Sequence, residues 1–114
     1  MAGRYIPNRG DIVWLNFTPQ SGHEQTGKRP ALVLSPKQYN SKVGLAVFCP
    51  ITSHKKGYPF EVDIQKTTKI NGVVLSDQVK SLDWRTRKAK FVEKVPESVL
   101  NECTLKIKAL LMII

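Results

Sequence analysis

Cysteine is scarce in this 114-residue chain: Cys49 and Cys103 lie far apart, and neither has a second Cys or a His at ligand spacing. Neither a disulfide framework nor a zinc site is indicated, and both thiols read as buried apolar fillers. Long apolar runs are missing as well. The most apolar stretch, ALLMII at 109–114, is far too short to span a bilayer, and the opening MAGRYIPNRGD has no run of signal-peptide length, so a cytoplasmic protein is expected. Glycine-rich phosphate loops, H-E-x-x-H and G-x-S-x-G are absent, which argues against nucleotide hydrolysis, zinc proteolysis and α/β-hydrolase chemistry. Acidic residues are few: nine Asp and Glu stand against eighteen Lys and Arg, a net charge of +9. Such an excess suits a polyanion or an acidic protein partner.

What is present is enough for one domain, 1–114, and leaves no room for a second core. Asp11–Phe17 (DIVWLNF) is rich in β-branched and aromatic residues and reads as a first strand ending at Thr18-Pro19. Gln20–Lys28 holds two glycines and no aliphatic residue, the composition of an exposed loop. Ala31–Ser35 and Leu45–Cys49 are apolar runs closed by Pro36 and Pro50. Being apolar on both faces, they are expected as central strands, with 36–44 as a connecting turn. Phe60–Ile64 alternates, placing Phe60, Val62 and Ile64 inward, and Asn71-Gly72 suggests a tight hairpin turn before Val73–Leu75. The basic strip Arg85–Lys94 fits an exposed edge strand. From Pro96 the apolar period changes: Val99, Cys103, Ile107, Leu110 and Ile114 recur at three- and four-residue steps, which predicts an amphipathic terminal helix. The expected architecture is mainly β, a small antiparallel barrel with a C-terminal helix.

Three polar clusters interrupt this pattern. Glu24, Lys28 and Arg29 put an acid, a base and an anion binder within six residues, directly before a buried strand. The plainer reading is a solvated loop whose Glu and Arg pair weakly, and composition alone favours it. Thr52-Ser53-His54-Lys55-Lys56 offers hydroxyl and ammonium groups suited to phosphate oxygens, or is an ordinary turn. Gln78 and Lys80 could read base edges, or belong to a capped turn at a strand end. Of the aromatics Trp14, Phe17, Tyr58 and Phe60, most are expected in the core, with Phe17 the best placed to be exposed and to stack on a base. His23 and His54 have no nameable partner.

Taken in order, these pieces become specific. Gly10-Asp11-Ile12-Val13-Trp14, Gly22-His23-Glu24-Gln25, Gly27-Lys28-Arg29-Pro30 running to Ser35-Pro36, Pro50-Ile51-Thr52-Ser53, Gly57-Tyr58-Pro59-Phe60 and Asp77-Gln78-Val79-Lys80 strongly resemble the MazF family of toxin endoribonucleases (PemK/MazF-like mRNA interferases). The resemblance covers about Tyr5 to Trp84 in unbroken order; beyond it, the basic strip and helix agree in type rather than in letters. It implies an SH3-like PemK/CcdB-type barrel that forms a homodimer, cuts single-stranded RNA without metal or cofactor, and is held by an acidic, MazE-like antitoxin. The reaction implied is attack by the RNA's own 2′-hydroxyl, leaving a 2′,3′-cyclic phosphate and a 5′-hydroxyl. Carried over by position, the essential arginine falls on Arg29 and the essential threonine on Thr52, with Glu24 as a further acid. Arginine stays protonated near neutral pH, so Glu24 is the better general base and Arg29 the stabiliser. Phe17, Lys28, Ser53, Lys56, Gln78 and Lys80 would hold the RNA. Some family members carry His at the position of Lys28 and acids at those of Asn16 and Thr18, so a different pH optimum and target sequence are expected. The competing readings are a CcdB-like gyrase poison and a non-catalytic RNA-binding barrel; the first depends on a Trp-Gly-Ile ending, whereas this chain ends Leu-Met-Ile-Ile.

Overall fold

The computed structural model describes residues 5–17, 27–64 and 69–112. Seven strands and two helices follow one another as β1 (Asp11–Asn16), β2 (Lys28–Val33), α1 (Lys37–Val43), β3 (Leu45–Thr52), β4 (Glu61–Asp63), β5 (Val73–Leu75), β6 (Lys80–Asp83), β7 (Lys90–Lys94) and α2 (Glu97–Leu111). All pairings are antiparallel, in the order β4-β5-β3-β2-β1-β7, with β6 also on β3. Among the described residues β4 and β7 do not pair with each other, so the barrel is an open one.

The two strands expected at the centre are there, and the alternation along them sorts side chains into two cores. Ile12, Leu32, Cys49 and Ile51 join Val62, Ile64, Val74, Val99 and Cys103 under α2. Val13, Leu15, Phe17, Ala31, Val33 and Phe48 pack on the other side around Trp84. Phe17 is therefore fully buried, which corrects its expected exposure: it shares a face with Leu15 and Val13, two and four residues back. Full burial of an aromatic or aliphatic side chain of this size stabilises by about 1.5–3 kcal/mol.

Four local expectations also change. The stretch after Pro36 is a helix, not a turn; it stops because Gly44 takes a left-handed conformation (φ 82°) and its N–H bonds to the Asn40 carbonyl. β3 does not end at Pro50 but runs to Thr52. Proline is accommodated because it falls between the segment of β3 paired with β6, Leu45–Phe48, and the one paired with β5, Ile51–Thr52. Asn71-Gly72 is not a two-residue hairpin turn, since the connection from β4 to β5 runs over 64–72. Only Lys90–Lys94 of the basic strip is strand, an edge strand paired with β1 across a register shift at Ile12/Val13. In the preceding turn the Asp83 carboxylate accepts the Arg85 and Thr86 N–H groups, and these bonds, led by that from Thr86, hold its carboxyl below the usual range.

The terminal helix follows the sequence reading. Val99 and Cys103 are its buried residues, Pro96 stands at its N-cap, Glu97 lies in its first turn and Lys108 in its last, each on the side the helix dipole favours. Both cysteines are free and buried, and burial pushes each thiol up to about 12. Among the described residues no helix is long and apolar enough to cross a membrane.

Candidate active site

The β2–β3 pairing brings the central candidates together. Ala31 faces Pro50, and two residues further along each antiparallel strand stand Arg29 and Thr52. Both line one cleft of about 380 Å³ with Trp14, Lys28, Ser53 and Lys69, and no carboxylate is among its described lining residues. Arg29 is exposed, as is Lys28, while the buried strand behind them fixes where their backbones emerge. The Thr52 hydroxyl oxygen accepts the His54 N–H at 3.1 Å. That leaves its own O–H as a donor, and with the guanidinium it offers what a phosphate oxygen takes best.

Two contacts from neighbouring elements hold this end in place. Gly72 (φ 131°) lies so close to Thr52 that an added Cβ would come within 2.2 Å of the Thr52 carbonyl oxygen; only glycine allows both that approach and that backbone angle. The Lys69 and Ile70 N–H groups donate to the Glu93 carboxylate at 3.0 and 3.1 Å, anchoring the far wall of the cleft to β7.

A second cleft of about 300 Å³ opens on the other side of Thr52, lined by His54, Lys56, Tyr58, Glu61, Leu75 and Gln78. Glu61 accepts the N–H groups of Lys56 and Gly57 at 2.9 and 2.8 Å, so this acid is used to shape the loop that presents Lys56. The Tyr58 hydroxyl donates to Asp77 at 2.8 Å; burial and then that carboxylate push the phenol up to about 12.

The expected site residues thus divide. Arg29, Thr52, Lys28 and Ser53 share the first cleft, and Lys56 and Gln78 line the second, joined to it through Thr52. Lys80 opens β6 opposite Phe48 and lines neither of these clefts. Phe17 is in the core. Glu24 and His23 lie outside the described residues. The sequence reading missed Lys69 and Asn71 as cleft residues, because the long β4–β5 connection was taken for a tight turn. It left Trp14 among aromatics expected mostly in the core, yet this residue faces away from Val13 and Leu15 and is only half-buried. Among the described residues no group of three or more His, Cys, Asp or Glu could hold a metal ion.

Known proteins resemble this chain in both sequence and fold. Residues 8–111 match the family described as PemK-like, MazF-like toxin of type II toxin-antitoxin system. The chain is 45% identical over 111 residues to the endoribonuclease toxin MazF of Escherichia coli K12, covering 97% of this chain and 99% of that protein. It is 35% identical over 99 residues to the E. coli endoribonuclease PemK, covering 82% and 74% respectively. Among solved structures, MazF from Deinococcus radiodurans superposes with a TM-score of 0.92 at 53% identity, covering 96% of this chain and all of that one. A MazE–MazF structure from the same organism matches with a TM-score of 0.85 at 47% identity, covering 95% and 97%.

Proposed function

The chain belongs to the PemK-like, MazF-like family of type II toxins, and from that premise we propose that RNA is cut in the cleft between Arg29 and Thr52. The protein is an endoribonuclease toxin of a type II toxin–antitoxin system, with RNA as its substrate and a MazE-like antitoxin as its partner. Its growth-inhibiting action is exerted in the cytoplasm, as a homodimer. The observation that supports the placement of the reaction is the cleft itself: among its described lining residues a guanidinium, a hydroxyl donor and two ammonium groups converge.

In this reading the 2′-hydroxyl of the nucleotide before the cut attacks the adjacent phosphorus. The bond from 2′-oxygen to phosphorus forms as the bond to the 5′-oxygen breaks, and the leaving 5′-oxygen takes a proton from water, giving a 2′,3′-cyclic phosphate and a 5′-hydroxyl. Arg29 makes a charge-assisted contact with the phosphoryl oxygens as negative charge builds on them, and Thr52 donates a hydrogen bond to the same group. Glu24 takes the 2′-hydroxyl proton, since Arg29 stays protonated near neutral pH. Lys28, Ser53, Lys56 and Gln78 hold the flanking RNA.

The test is incubation with a long single-stranded RNA in excess EDTA, mapping the ends produced. Discrete cuts with 5′-hydroxyl and cyclic phosphate ends are expected, falling by about 10³-fold in Arg29→Ala with the melting midpoint kept, because Arg29 is an exposed side chain. Glu24→Gln cutting at the wild-type rate would refute the base assignment. Binding without cutting would leave a non-catalytic RNA-binding barrel.

A further inference from the structure

A third cleft, of about 500 Å³, is lined by Lys28, Arg87, Lys88, Lys90 and Asn16. Lys28 also lines the cleft of Arg29 and Thr52, so the two are continuous through that side chain. Four cations, from β2, from the turn at 87–88 and from the start of β7, meet here, and no acid is among the described lining residues.

The segment that carries two of them is built to hold its position. Asn16 N–H donates to the Arg87 carbonyl at 2.9 Å and Arg87 Nη1 donates back to the Asn16 carbonyl at 3.2 Å. Asn16 in turn pairs with Lys28 across β1–β2. The turn is closed by Arg87 N–H to Asp83, Lys88 N–H to Arg85 and Ala89 N–H to Trp84. At its apex Lys88 has φ 56°, the one described residue other than glycine with a positive φ. A left-handed conformation is disfavoured for a lysine and easy for glycine. Backbone strain of this kind persists where the surroundings over-determine it, and it concentrates at ligand clamps.

We propose that this cleft is an anionic subsite that takes a backbone phosphate of the RNA remote from the cut, with Lys88 and Lys90 as its contacts. The proposal rests on the reading of the Arg29–Thr52 cleft as the place of cleavage. RNA fits better than an acidic peptide because Lys28 lines both clefts, so a strand held at the Arg29–Thr52 cleft has this one next to it. Its contacts would be sequence-independent, adding affinity and salt dependence without base preference.

The experiment compares wild type with the double variant Lys88→Gly, Lys90→Gln on two substrates: a long single-stranded RNA, and a short oligonucleotide spanning one mapped cut but ending before the subsite. Removing both contacts to that phosphate should lower kcat/KM on the long RNA by about tenfold at low salt and flatten its log–log salt dependence by about 0.7. Cleavage of the short oligonucleotide should change less than that of the long RNA. The single variant Lys88→Gly controls for folding: it relieves the backbone angle, so its melting midpoint should not fall, while its salt slope still flattens. Equal loss on both substrates, or unchanged cleavage and salt slope on the long RNA, overturns the subsite while the nuclease reading stands. The subsite is also overturned if the variants weaken binding only of an acidic antitoxin peptide. Wild-type protein that cuts neither RNA refutes the underlying nuclease reading instead.

Discussion

The two ends of the β2–β3 pair use similar polar residues for opposite purposes. At the end leading into α1, Asn40 is completely buried. Its side-chain oxygen accepts from Ser35 Oγ at 2.6 Å, and its amide donates to the Pro7 and Ser35 carbonyls at 2.7 and 3.0 Å. Its backbone carbonyl accepts the Trp84 indole N–H at 2.9 Å. At the other end Lys28, Arg29 and Ser53 stand exposed around a cleft, and Thr52 keeps a hydroxyl proton to donate. Buried, mutually satisfied polar groups specify a fold. Polar groups left facing a cleft are available to a substrate, and the folded chain gains little from them. The first end should therefore govern stability and the second cleavage, with little crossing between them.

Gly72→Ala should break this separation most severely. The new methyl meets the Thr52 carbonyl, and the backbone angle excludes an L-residue. A stability loss of about 3 kcal/mol is expected. Displacing Thr52 by even about 1 Å should cut cleavage by roughly 10²-fold at temperatures where the protein is still folded. Thermal melting and RNA cleavage measured on the same preparation check both; a variant that melts and cuts like wild type would mean Gly72 does not position Thr52.

Asn40→Ala sharpens the comparison from the other end. Three buried side-chain hydrogen bonds disappear and two carbonyls lose a donor, for a loss of about 3 kcal/mol. Cleavage per folded molecule should be unchanged well below the melting midpoint. A fall in cleavage by protein that circular dichroism shows to be folded would mean the two ends are coupled.

How far each end was legible in the sequence follows the same division. Arg29 and Thr52 are legible through the family motifs that contain them, and the central strands through their unbroken apolar runs. The Asn40 end is not. KQYNSKV, the sequence of α1, has no apolar period because that helix buries a single residue, and a polar one. Its boundaries are nonetheless written in Pro36 and Gly44, the proline-before and glycine-after signature of a short helix. Phe17 was legible too, since period two places it with Val13 and Leu15; its place beside a polar loop misled more than its strand informed. The third cleft was beyond reach of sequence, because it needs the pairing of β1 with both β2 and β7 to bring Asn16, Lys28 and Lys90 together. β6 was missed for a simpler reason: KSLD carries one apolar residue, too few to reveal an alternation.

The smallest expected effect lies at the second cleft, where a pairing like those of the buried end is built from partly exposed groups. Tyr58 donates to Asp77 beside Gln78, and burial, then this bond, raise its phenol from 10.0 to about 12. A folded value above the unfolded one means the contribution is fully present below pH 10 and is lost as pH rises through about 12. Because Tyr58 is half-buried rather than fully enclosed, Tyr58→Phe should cost about 1 kcal/mol or less at neutral pH. Alkaline unfolding would not isolate it, since both buried thiols titrate in the same range. Ultraviolet titration of phenolate does: Tyr58→Phe should remove one late-ionising tyrosine from the native curve, and Asp77→Asn should bring that ionisation to lower pH. A wild-type curve unaltered by Asp77→Asn would show that the carboxylate does not hold the tyrosine, and that this wall of the cleft, unlike the Asn40 end, is set by packing alone.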